Sequence, residues 1–445
     1  MTHDELIATY KKTHPISERL HERAIKAFAG EGATSFVRAL DPFRPYITHA
    51  QGSKKWDADG HEYIDYVMGH GALLLGHSHP SVVQAVQEQI VKGVHYGDNH
   101  QLEVEWAEII KNILPSTERV EFFACGQEAN LMAIRLSRIF TGRKKILRFI
   151  ENFHGWADEV ALPPDAPGIV SREVKTIPYD LEEVERELAT DEYAILMTEG
   201  GGAHMSGQVP LDLKFVKQLP DLAHKHGTVW HMDEVVTGFR DAVGGFQALA
   251  GVTPDLTSLG KIVAGGLGAG ALVGPADIMK PLGRSLPREQ QVSHSGTWNA
   301  NPLTAAAGIA TLNFIKDGKP QAEGNRLASY LRQQGNQMFK DKGISGWLYG
   351  RSITHLYLGP IEFEPADEIL PPTNDFNKIV GVDMTRLRLN LHLLSRGVAT
   401  LLARMFILST AHTEEDVDKT VSALAEFFDA MRAEGSLGNL EKLGN

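Results

Sequence analysis

Three short segments of the sequence combine chemically reactive residue types with turns that can hold a ligand. The first contains Gly260-Lys261, which follows a predicted short strand and precedes the glycine-dense stretch 265–270. A lysine in a partly desolvated site loses its proton and attacks a carbonyl carbon to form an imine. Glycines beside it allow the backbone to approach a bulky ligand. Most loop lysines are solvated, so the hypothesis that Lys261 is reactive depends on the other two segments.

The second segment is an apolar run, Val229 to Met232, followed by Asp233 and Glu234. In open α/β sheets, ligands bind just outside the carboxyl ends of the strands. A carboxylate at that position can hold a cationic ring nitrogen. The alternative interpretation is that the two acids begin an ordinary loop.

The third segment runs from Phe122 to Asn130, where a predicted strand ends, small residues turn the chain and a helix begins. Backbone N–H groups at the start of a helix bind phosphate well, which makes Cys125, Gly126 and Gln127 a candidate phosphate cradle. The segment is not a Walker motif, because no Gly-Lys-Ser/Thr follows. An unremarkable strand-to-helix turn is the alternative.

Short apolar runs alternate with amphipathic segments through the centre of the chain. This pattern predicts an α/β fold whose large domain holds a mostly parallel sheet covered by helices. Strands are predicted at 120–123, 145–149, 193–198, 228–232 and 271–274, and helices at 127–141, 181–188, 213–226 and 301–316. We assign residues 66–318 to the large domain and 319–445 to a smaller α/β domain, which residues 1–65 join.

Composition narrows the classes of function. The 445 residues carry a formal net charge of −12, which disfavours nucleic acid and anionic membranes as partners. A single cysteine, Cys125, allows no intrachain disulfide. The polar N-terminus lacks the apolar core of a signal peptide, and the sequence contains no apolar run of membrane-spanning length. We therefore expect a soluble cytoplasmic protein.

The three segments in this order, with further motifs around them, give the chain a specific resemblance. It resembles the class III (ω-type) aminotransferases of fold type I, which depend on pyridoxal 5′-phosphate (PLP), and within them the glutamate-1-semialdehyde aminomutase group. The matching motifs are Asp59-Gly60, Tyr63 to Tyr66, Leu75 to Pro80, Cys125 to Asn130, Arg135-Leu136, Thr141 to Arg143, Phe153 to Gly155, Asp233 to Arg240, Gly260-Lys261, Gly296-Thr297 and Asn301-Pro302.

The resemblance implies a role for each matching position. Lys261 is similar to the Schiff-base lysine, which also moves the substrate proton, and Asp233 to the carboxylate that keeps the pyridine nitrogen protonated. The remaining implied cofactor contacts are the phosphate cradle, the two ring faces and an acid on the hydroxyl side: Gly126, Gln127, Val235, Phe153 and Glu199. Thr297 resembles a phosphate ligand that comes from a neighbouring subunit, which implies a homodimer with shared active sites.

Three departures from the family pattern bear on the reaction. The usual Ser-Gly-Thr cradle is Cys125-Gly126-Gln127, the usual Glu-Pro segment is Glu199-Gly200, and His70 stands where the aminomutases usually have tryptophan. These changes favour transamination between an amine or amino acid and a keto acid or aldehyde. An aminomutase or epimerase of an amino acid is the alternative, because it uses the same carbanion stabilisation.

Arginines indicate a substrate with a carboxylate, because guanidinium groups bind carboxylates with two parallel hydrogen bonds. Arg38 matches the position of the substrate-binding arginine of the aminomutase group, and His70 belongs to the divergent pocket. Arg240 and Arg404 are second candidates. Five histidines between positions 70 and 100 raise a metal-site alternative, but no third ligand or supporting residue is evident, so we predict no metal.

Overall fold

The computed structural model describes residues 2–30, 32–35, 38, 40–150, 152–162, 166–170 and 173–441. The chain divides into two compact units. The first unit comprises Met1–His70, Leu75–His79 and Arg326–Asn445, and the second comprises Gly71–Leu74 and Pro80–Asn325. The boundary near residue 325 falls within the helix Lys319–Asp341.

The second unit is built on a seven-stranded sheet. From one edge to the other, its strands are Arg119–Phe123, Gly270–Gly274, Leu256–Gly260, Val229–Glu234, Tyr193–Glu199, Lys145–Phe149 and Val174–Ile177. Only Gly270–Gly274 runs antiparallel to its neighbours, so the prediction of a mostly parallel sheet is confirmed. All seven residues of Tyr193–Glu199 are buried, as expected for a strand covered on both faces.

Helices surround this sheet in chain order. They are Pro80–Ile90, Gln101–Ile113, Gly126–Thr141, Leu181–Leu188, Leu213–Val216, Leu219–Lys225, Gly245–Ala250, Ala276–Met279 and Pro302–Ile315. The single helix predicted over 213–226 is in fact two helices. Pro220 lies in the first turn of the second helix, where its missing N–H costs nothing, whereas one continuous helix would lose a hydrogen bond there. A small pair of strands, Gly202–Ala203 and Val209–Pro210, follows the strand Tyr193–Glu199 along the chain.

The first unit contains two small sheets. One comprises Ile47–Gln51, Lys54–Asp57, Glu62–Asp65 and Val398–Ala399, and the other Gly346–Gly350, Ile353–Leu358 and Met405–Ile407. Its helices are His3–Thr13, Pro15–Ala27, Phe376–Val380, Met384–Ser395 and Glu414–Ala433. The side chains of Leu327, Leu389, Phe406 and Phe428 are completely buried in its core.

The N-terminal segment forms two helices, His3–Thr13 and Pro15–Ala27. Thr2 caps the first by accepting a hydrogen bond from the N–H of Glu5, while the Glu5 side chain accepts one from the N–H of Thr2. His14 ends this helix, and Pro15 begins the next. No helix among the described residues combines the length and apolar character needed to cross a membrane.

Candidate cofactor site

The carboxyl ends of three adjacent parallel strands bring the predicted reactive residues together. Asp233 is paired in register with Glu199 on one side and with Ser258 on the other. Lys261 follows directly after the strand that contains Ser258. This is the edge of an α/β sheet at which ligands bind, because the strand order and the loops leave a crevice there.

Lys261 has an unusual backbone conformation. Its φ angle is +51°, in the left-handed region that side-chain-bearing residues seldom adopt, at the start of a short 3₁₀ turn. A Cβ atom on Gly71 would lie 3.8 Å from Lys261 Cδ and 3.8 Å from Met205 Cε, so both side chains converge on this glycine. Burial lowers the pKa of Lys261, although the charge of Asp233 acts in the opposite direction. The lowered pKa increases the neutral, nucleophilic fraction of the amine.

Asp233 is a buried carboxylate with three hydrogen-bond donors. Its Oδ2 atom accepts bonds from Asn130 Nδ2 at 2.7 Å and His154 Nδ1 at 2.8 Å, and its Oδ1 atom accepts one from the Val235 N–H at 2.9 Å. Burial alone would raise the pKa of Asp233, but the hydrogen bond and charge of His154 outweigh it and hold the pKa below its ordinary value. The carboxylate is therefore ionised at neutral pH.

The adjacent Glu234 has a structural role at the start of a helix. Its carboxylate accepts bonds from the N–H groups of Phe246 and Gln247 at 2.6 and 3.0 Å, which fixes the start of the helix Gly245–Ala250. Burial raises the pKa of Glu234, although these donors act against the rise. Of the two acids that the sequence places at this strand end, Asp233 alone is bonded to His154 and Asn130.

Val235 packs against two glycines, Gly126 in the turn after Phe123 and Gly260 at the end of the strand before Lys261, too closely for either to carry a side chain. A Cβ on Gly126 would lie 2.4 Å from Val235 Cγ2, and one on Gly260 would lie 2.9 Å from Val235 Cγ1. Val235 thus fills the space between the phosphate-cradle turn and the residue that precedes Lys261. The helix Gly126–Thr141 begins here without a hydrogen bond from the side chain of its cap residue Cys125, so its first N–H groups suit an anion.

Gln127 is oriented by a neighbouring loop. Its Oε1 atom accepts a hydrogen bond from the Trp156 N–H at 2.6 Å, which leaves the NH₂ end as the donor for a phosphate. A Cβ on Gly155 would lie 2.6 Å from Gln127 Cγ, so this position also requires glycine, whose φ angle is +126°. The geometry fits the predicted cradle despite the loss of the usual hydroxyl donors.

Glu199 is held by the backbone of two loops. Its two carboxylate oxygens accept bonds from the N–H groups of Phe153 and Met205, both at 2.9 Å. Burial nevertheless raises the pKa of Glu199 to about 8. The side chain of Phe153 is exposed, whereas its N–H contacts the acid that lies beside Asp233 in the sheet.

Of the other predicted site residues, Arg240 lies beside Lys261. It is completely buried and donates to the Gly71 carbonyl oxygen at 2.5 Å, a Cβ on Gly71 would lie 3.9 Å from Arg240 Nη2 and 3.8 Å from Lys261 Cδ, and the charge of Arg240 adds to the lowering of the Lys261 pKa by burial. Thr297 is exposed in the second unit, and its carbonyl oxygen contacts His95 Nε2. Arg38, exposed and bonded to Thr34 Oγ1 at 3.3 Å, His70, with a φ angle of +56°, and the half-buried Arg404 belong to the first unit.

Comparison with known proteins identifies the family. The family model for class-III aminotransferases matches residues 36–345 of the chain. The chain belongs to the class-III aminotransferase family. A similar sequence is the glutamate-1-semialdehyde 2,1-aminomutase of Methanopyrus kandleri, which is 35% identical over 95% of this chain and 99% of its own length.

Solved structures of class-III aminotransferases resemble the chain over nearly its whole length. A β-phenylalanine aminotransferase from Variovorax paradoxus has a TM-score of 0.87 and 27% identity, and covers 97% of this chain and 99% of its own. A transaminase with PLP bound has a TM-score of 0.82 and 25% identity, over 95% and 99% of the two chains. The fold is therefore fold type I and the cofactor of this class-III enzyme is PLP, as the sequence predicted.

Two residues of the site carried no assigned role in the sequence analysis. Asn130 and His154 both hydrogen-bond to Asp233, and Asn130 Nδ2 also bonds to the His154 carbonyl oxygen at 2.8 Å. Each lies in one of the motifs that carry the family resemblance. Asn130 is a polar residue among the mostly apolar buried residues of the helix Gly126–Thr141, and this was the available signal.

Proposed function

We propose that this class-III enzyme moves an amino group within a single amino acid substrate, as an aminomutase does. The observation that carries the proposal is the ionised Asp233 beside the partly buried Lys261 at one sheet edge. The internal transfer, rather than transfer between two molecules, is supported by the 35% identity to an enzyme named as a glutamate-1-semialdehyde 2,1-aminomutase. The departures at Cys125, Glu199 and His70 favoured transamination in the sequence analysis, so the proposed reaction is now the one that was the alternative there.

PLP, when bound, supplies a ring that accepts electrons from the carbon next to the substrate amine. In the proposed arrangement, Asp233 would accept a hydrogen bond from the ring nitrogen and keep it protonated. The N–H groups of Gly126 and Gln127, with the Gln127 amide, would hold the phosphate. Val235 and Phe153 would cover the ring, and Glu199 would contact its hydroxyl group.

Lys261 performs the proton transfers. Its amine is partly neutral because of burial, so it attacks a carbonyl carbon and later accepts a proton from the substrate carbon. Lys261 would return that proton at a different atom. The amino group itself would leave its first carbon for the bound cofactor, with water supplying the new carbonyl oxygen, and would form its new C–N bond at the neighbouring carbonyl carbon, whose oxygen leaves as water. Glu199, protonated at neutral pH, donates a hydrogen bond rather than adding a second negative charge beside Asp233. Arg38 is the proposed contact of a substrate carboxylate, and His70 a second pocket residue.

The reaction is tested by supplying glutamate 1-semialdehyde alone to the PLP-loaded protein. An aminomutase consumes it without any added amino acceptor and forms one isomeric product per substrate. Chromatography separates this product from the substrate, and mass spectrometry shows that its mass is unchanged. Lys261→Ala protein is the control. If no isomer forms and turnover appears only when an amine donor and a keto acid are both present, the internal transfer is wrong.

Transamination between two molecules is the second candidate, and a specific observation favours it. Solved class-III structures at 25% identity or more are named as aminotransferases or transaminases, and one of them covers 97% of the chain. A transaminase given amine donor alone converts its cofactor once, without further turnover, and releases a carbonyl product. A panel of donors read at the cofactor absorbance identifies this behaviour.

We further propose that the active enzyme is a homodimer in which Thr297 binds the phosphate of the neighbouring subunit. Thr297 is exposed, and the adjacent Trp298 is 57% exposed, which suits an interface. Mixing Lys261→Ala with Thr297→Ala chains tests this, because each mixed dimer then contains one intact site. Activity should recover to about a quarter of the wild-type value. No recovery on exchange of subunits contradicts the shared site.

A further inference from the structure

A second buried cluster of aspartate and histidine lies in the first unit. His14 ends the helix His3–Thr13, Asp57 ends the strand Lys54–Asp57, and His61 lies in the turn before the strand Glu62–Asp65. One ligand atom from each residue lies within 4.8 Å of the other two. His14 and Asp57 are 3% exposed, whereas 39% of the His61 side chain is exposed, so the cluster has one side open to water.

The spacing of these atoms suits a small metal ion. His14 Nε2 lies 3.5 Å from Asp57 Oδ2, and His61 Nδ1 lies 3.1 Å from the same oxygen. A tetrahedral ion with bonds of about 2.0–2.1 Å to each ligand holds neighbouring ligand atoms roughly 3.3 Å apart. Two of the three pairs therefore already have the separation that an ion would impose.

His14 Nε2 competes with Asp57 for one proton. Tyr63 Oη lies 2.7 Å from Asp57 Oδ2 and 2.8 Å from His14 Nε2, but it has one proton and donates to only one of them. Asp57 has other donors, because its Oδ1 atom accepts bonds from the N–H groups of Asp59 and His61 and its Oδ2 atom lies 3.1 Å from His61 Nδ1. His14 Nδ1 lies 2.8 Å from the Tyr10 carbonyl oxygen and 2.9 Å from Thr13 Oγ1. A neutral His14 that donates from Nδ1 to this carbonyl therefore keeps Nε2 as a bare nitrogen whenever Tyr63 donates to Asp57.

A cation at His14 Nε2 removes this conflict. Nδ1–H then donates to the Tyr10 carbonyl oxygen, and Tyr63 donates to Asp57. Metal-binding histidines usually donate their other ring N–H to a backbone carbonyl or a carboxylate, which is the contact that His14 makes here. The His61 side chain is 39% exposed, so water can reach an ion at this cluster and complete its coordination.

We propose that His14, Asp57 and His61 form a binding site for a divalent transition-metal ion of the zinc type. Two imidazoles and a carboxylate with an open position are a donor set that Zn²⁺ accepts. The site is independent of the cofactor chemistry and contradicts our sequence-based prediction of no metal. Asp59, in the same turn, already accepts bonds from the N–H groups of Ile16 and Ser17 at 2.6 and 2.9 Å. The ion would strengthen this link between the turn and the second helix.

Calorimetric titration with ZnCl₂ tests the proposal on PLP-loaded protein that has been treated with a chelator and dialysed. We expect one ion per chain and a higher melting temperature in its presence. His61→Ala should weaken binding by more than about 100-fold, because even the outer partners of metal ligands are worth about 10–100-fold. His49→Ala, which removes an exposed histidine of the same sheet, is the matched control and should bind as the wild type does.

Equal zinc affinity in the wild type and His61→Ala would overturn the proposal, as would the absence of stoichiometric binding. X-ray absorption at the zinc edge of the wild-type complex gives a reading that does not depend on any variant folding. The expected shell contains nitrogen and oxygen ligands with two imidazole rings. A sulphur ligand, or a shell of water oxygens alone, would place the ion elsewhere.

Discussion

Two buried aspartates in this protein each contact histidine, yet their surroundings differ. Asp233, in the second unit, receives three donated protons, from Asn130, His154 and the Val235 N–H. Asp57, in the first unit, accepts bonds from the N–H groups of Asp59 and His61, lies 3.1 Å from His61 Nδ1 and competes with His14 for the single proton of Tyr63. The first carboxylate is ionised beside a reactive lysine, which suits an organic cation. The second lies beside two imidazole nitrogens, and His14 Nε2 is a bare nitrogen when Tyr63 donates to Asp57, which suits a metal ion.

The comparison shows that burial and a histidine partner do not by themselves define what a carboxylate binds. The groups that face the carboxylate decide it: the charge of Asp233 acts on Lys261, whereas Asp57 lies within 3.5 Å of two imidazole nitrogens. Glu234 supports this conclusion. It is as buried as Asp233, but its carboxylate oxygens accept hydrogen bonds from the N–H groups of Phe246 and Gln247 at the start of a helix. Each of the following experiments changes one side of this comparison.

Asp233→Asn should have the largest effect among these substitutions. An amide cannot hold the ring nitrogen protonated, so we expect turnover to fall by about 100-fold or more and PLP to bind more weakly. Titration of the apoprotein with PLP, followed by cofactor absorbance, measures the affinity. Glu234→Gln is the control: it should lower the free energy of unfolding by about 1–3 kcal/mol while changing PLP affinity little. Equal effects on PLP affinity would remove the distinction between the two acids.

His154→Gln tests whether the histidine positions and supports Asp233. A hydrogen bond to a charged group contributes about 1.5–3 kcal/mol, so PLP affinity should fall about 10–100-fold, less than in Asp233→Asn. His224→Gln is the matched control, because His224 also pairs with an aspartate, Asp255, at 2.9 Å near the opposite end of the sheet. A cofactor affinity unchanged by His154→Gln would show that the remaining donors suffice.

Glu199→Gln should alter the pH dependence of stability in the apoprotein. Burial raises the pKa of Glu199 from 4.5 to about 8, so between these values the folded state binds a proton that the unfolded state has lost. The free energy of unfolding should therefore fall as pH rises through this window. In Glu199→Gln this component of the slope should disappear. Denaturant unfolding at pH 5, 7 and 9 measures it, and parallel curves for the two proteins would contradict the assignment.

The smallest effect is expected for His61→Ala on catalysis. The contacts of His61 are with His14 and Asp57 in the first unit, so its loss should leave turnover within about 2-fold of wild type while zinc binding disappears. Steady-state kinetics with the zinc-free enzymes measure the first quantity. A large loss of turnover would show that the cluster of His14, Asp57 and His61 is coupled to the cofactor site.

The sequence predicted the sheet edge well, because each part of it depends on local pattern. An apolar strand followed by Asp233, and a strand followed by Lys261, place both residues at carboxyl ends whatever the detailed packing. Pro220 by itself indicates the break between the helices Leu213–Val216 and Leu219–Lys225, because proline disrupts the interior of a helix. The sequence also predicted the turn at Gly126. Its close contact with Val235 was not predictable, because the two residues are distant in sequence.

Other features require the folded chain. His154 approaches Asp233 only because the loop after Lys145–Phe149 returns over the strand ends, so its spacing in the sequence carries no sign of the contact. The His14 cluster joins a helix end to a hairpin turn, and neither has a metal-binding spacing of its own. The histidines between 70 and 100, which drew attention in the sequence, contribute no member to that cluster.

The central claim is that Lys261 carries the cofactor. Borohydride reduction of the PLP-loaded protein, followed by digestion and mass spectrometry, fixes the cofactor on the lysine that holds it. If Lys261 carries the cofactor, the added mass lies on the peptide that contains Lys261, and Lys261→Ala protein has neither this adduct nor turnover. A label on a different lysine, or normal turnover by Lys261→Ala, would contradict it.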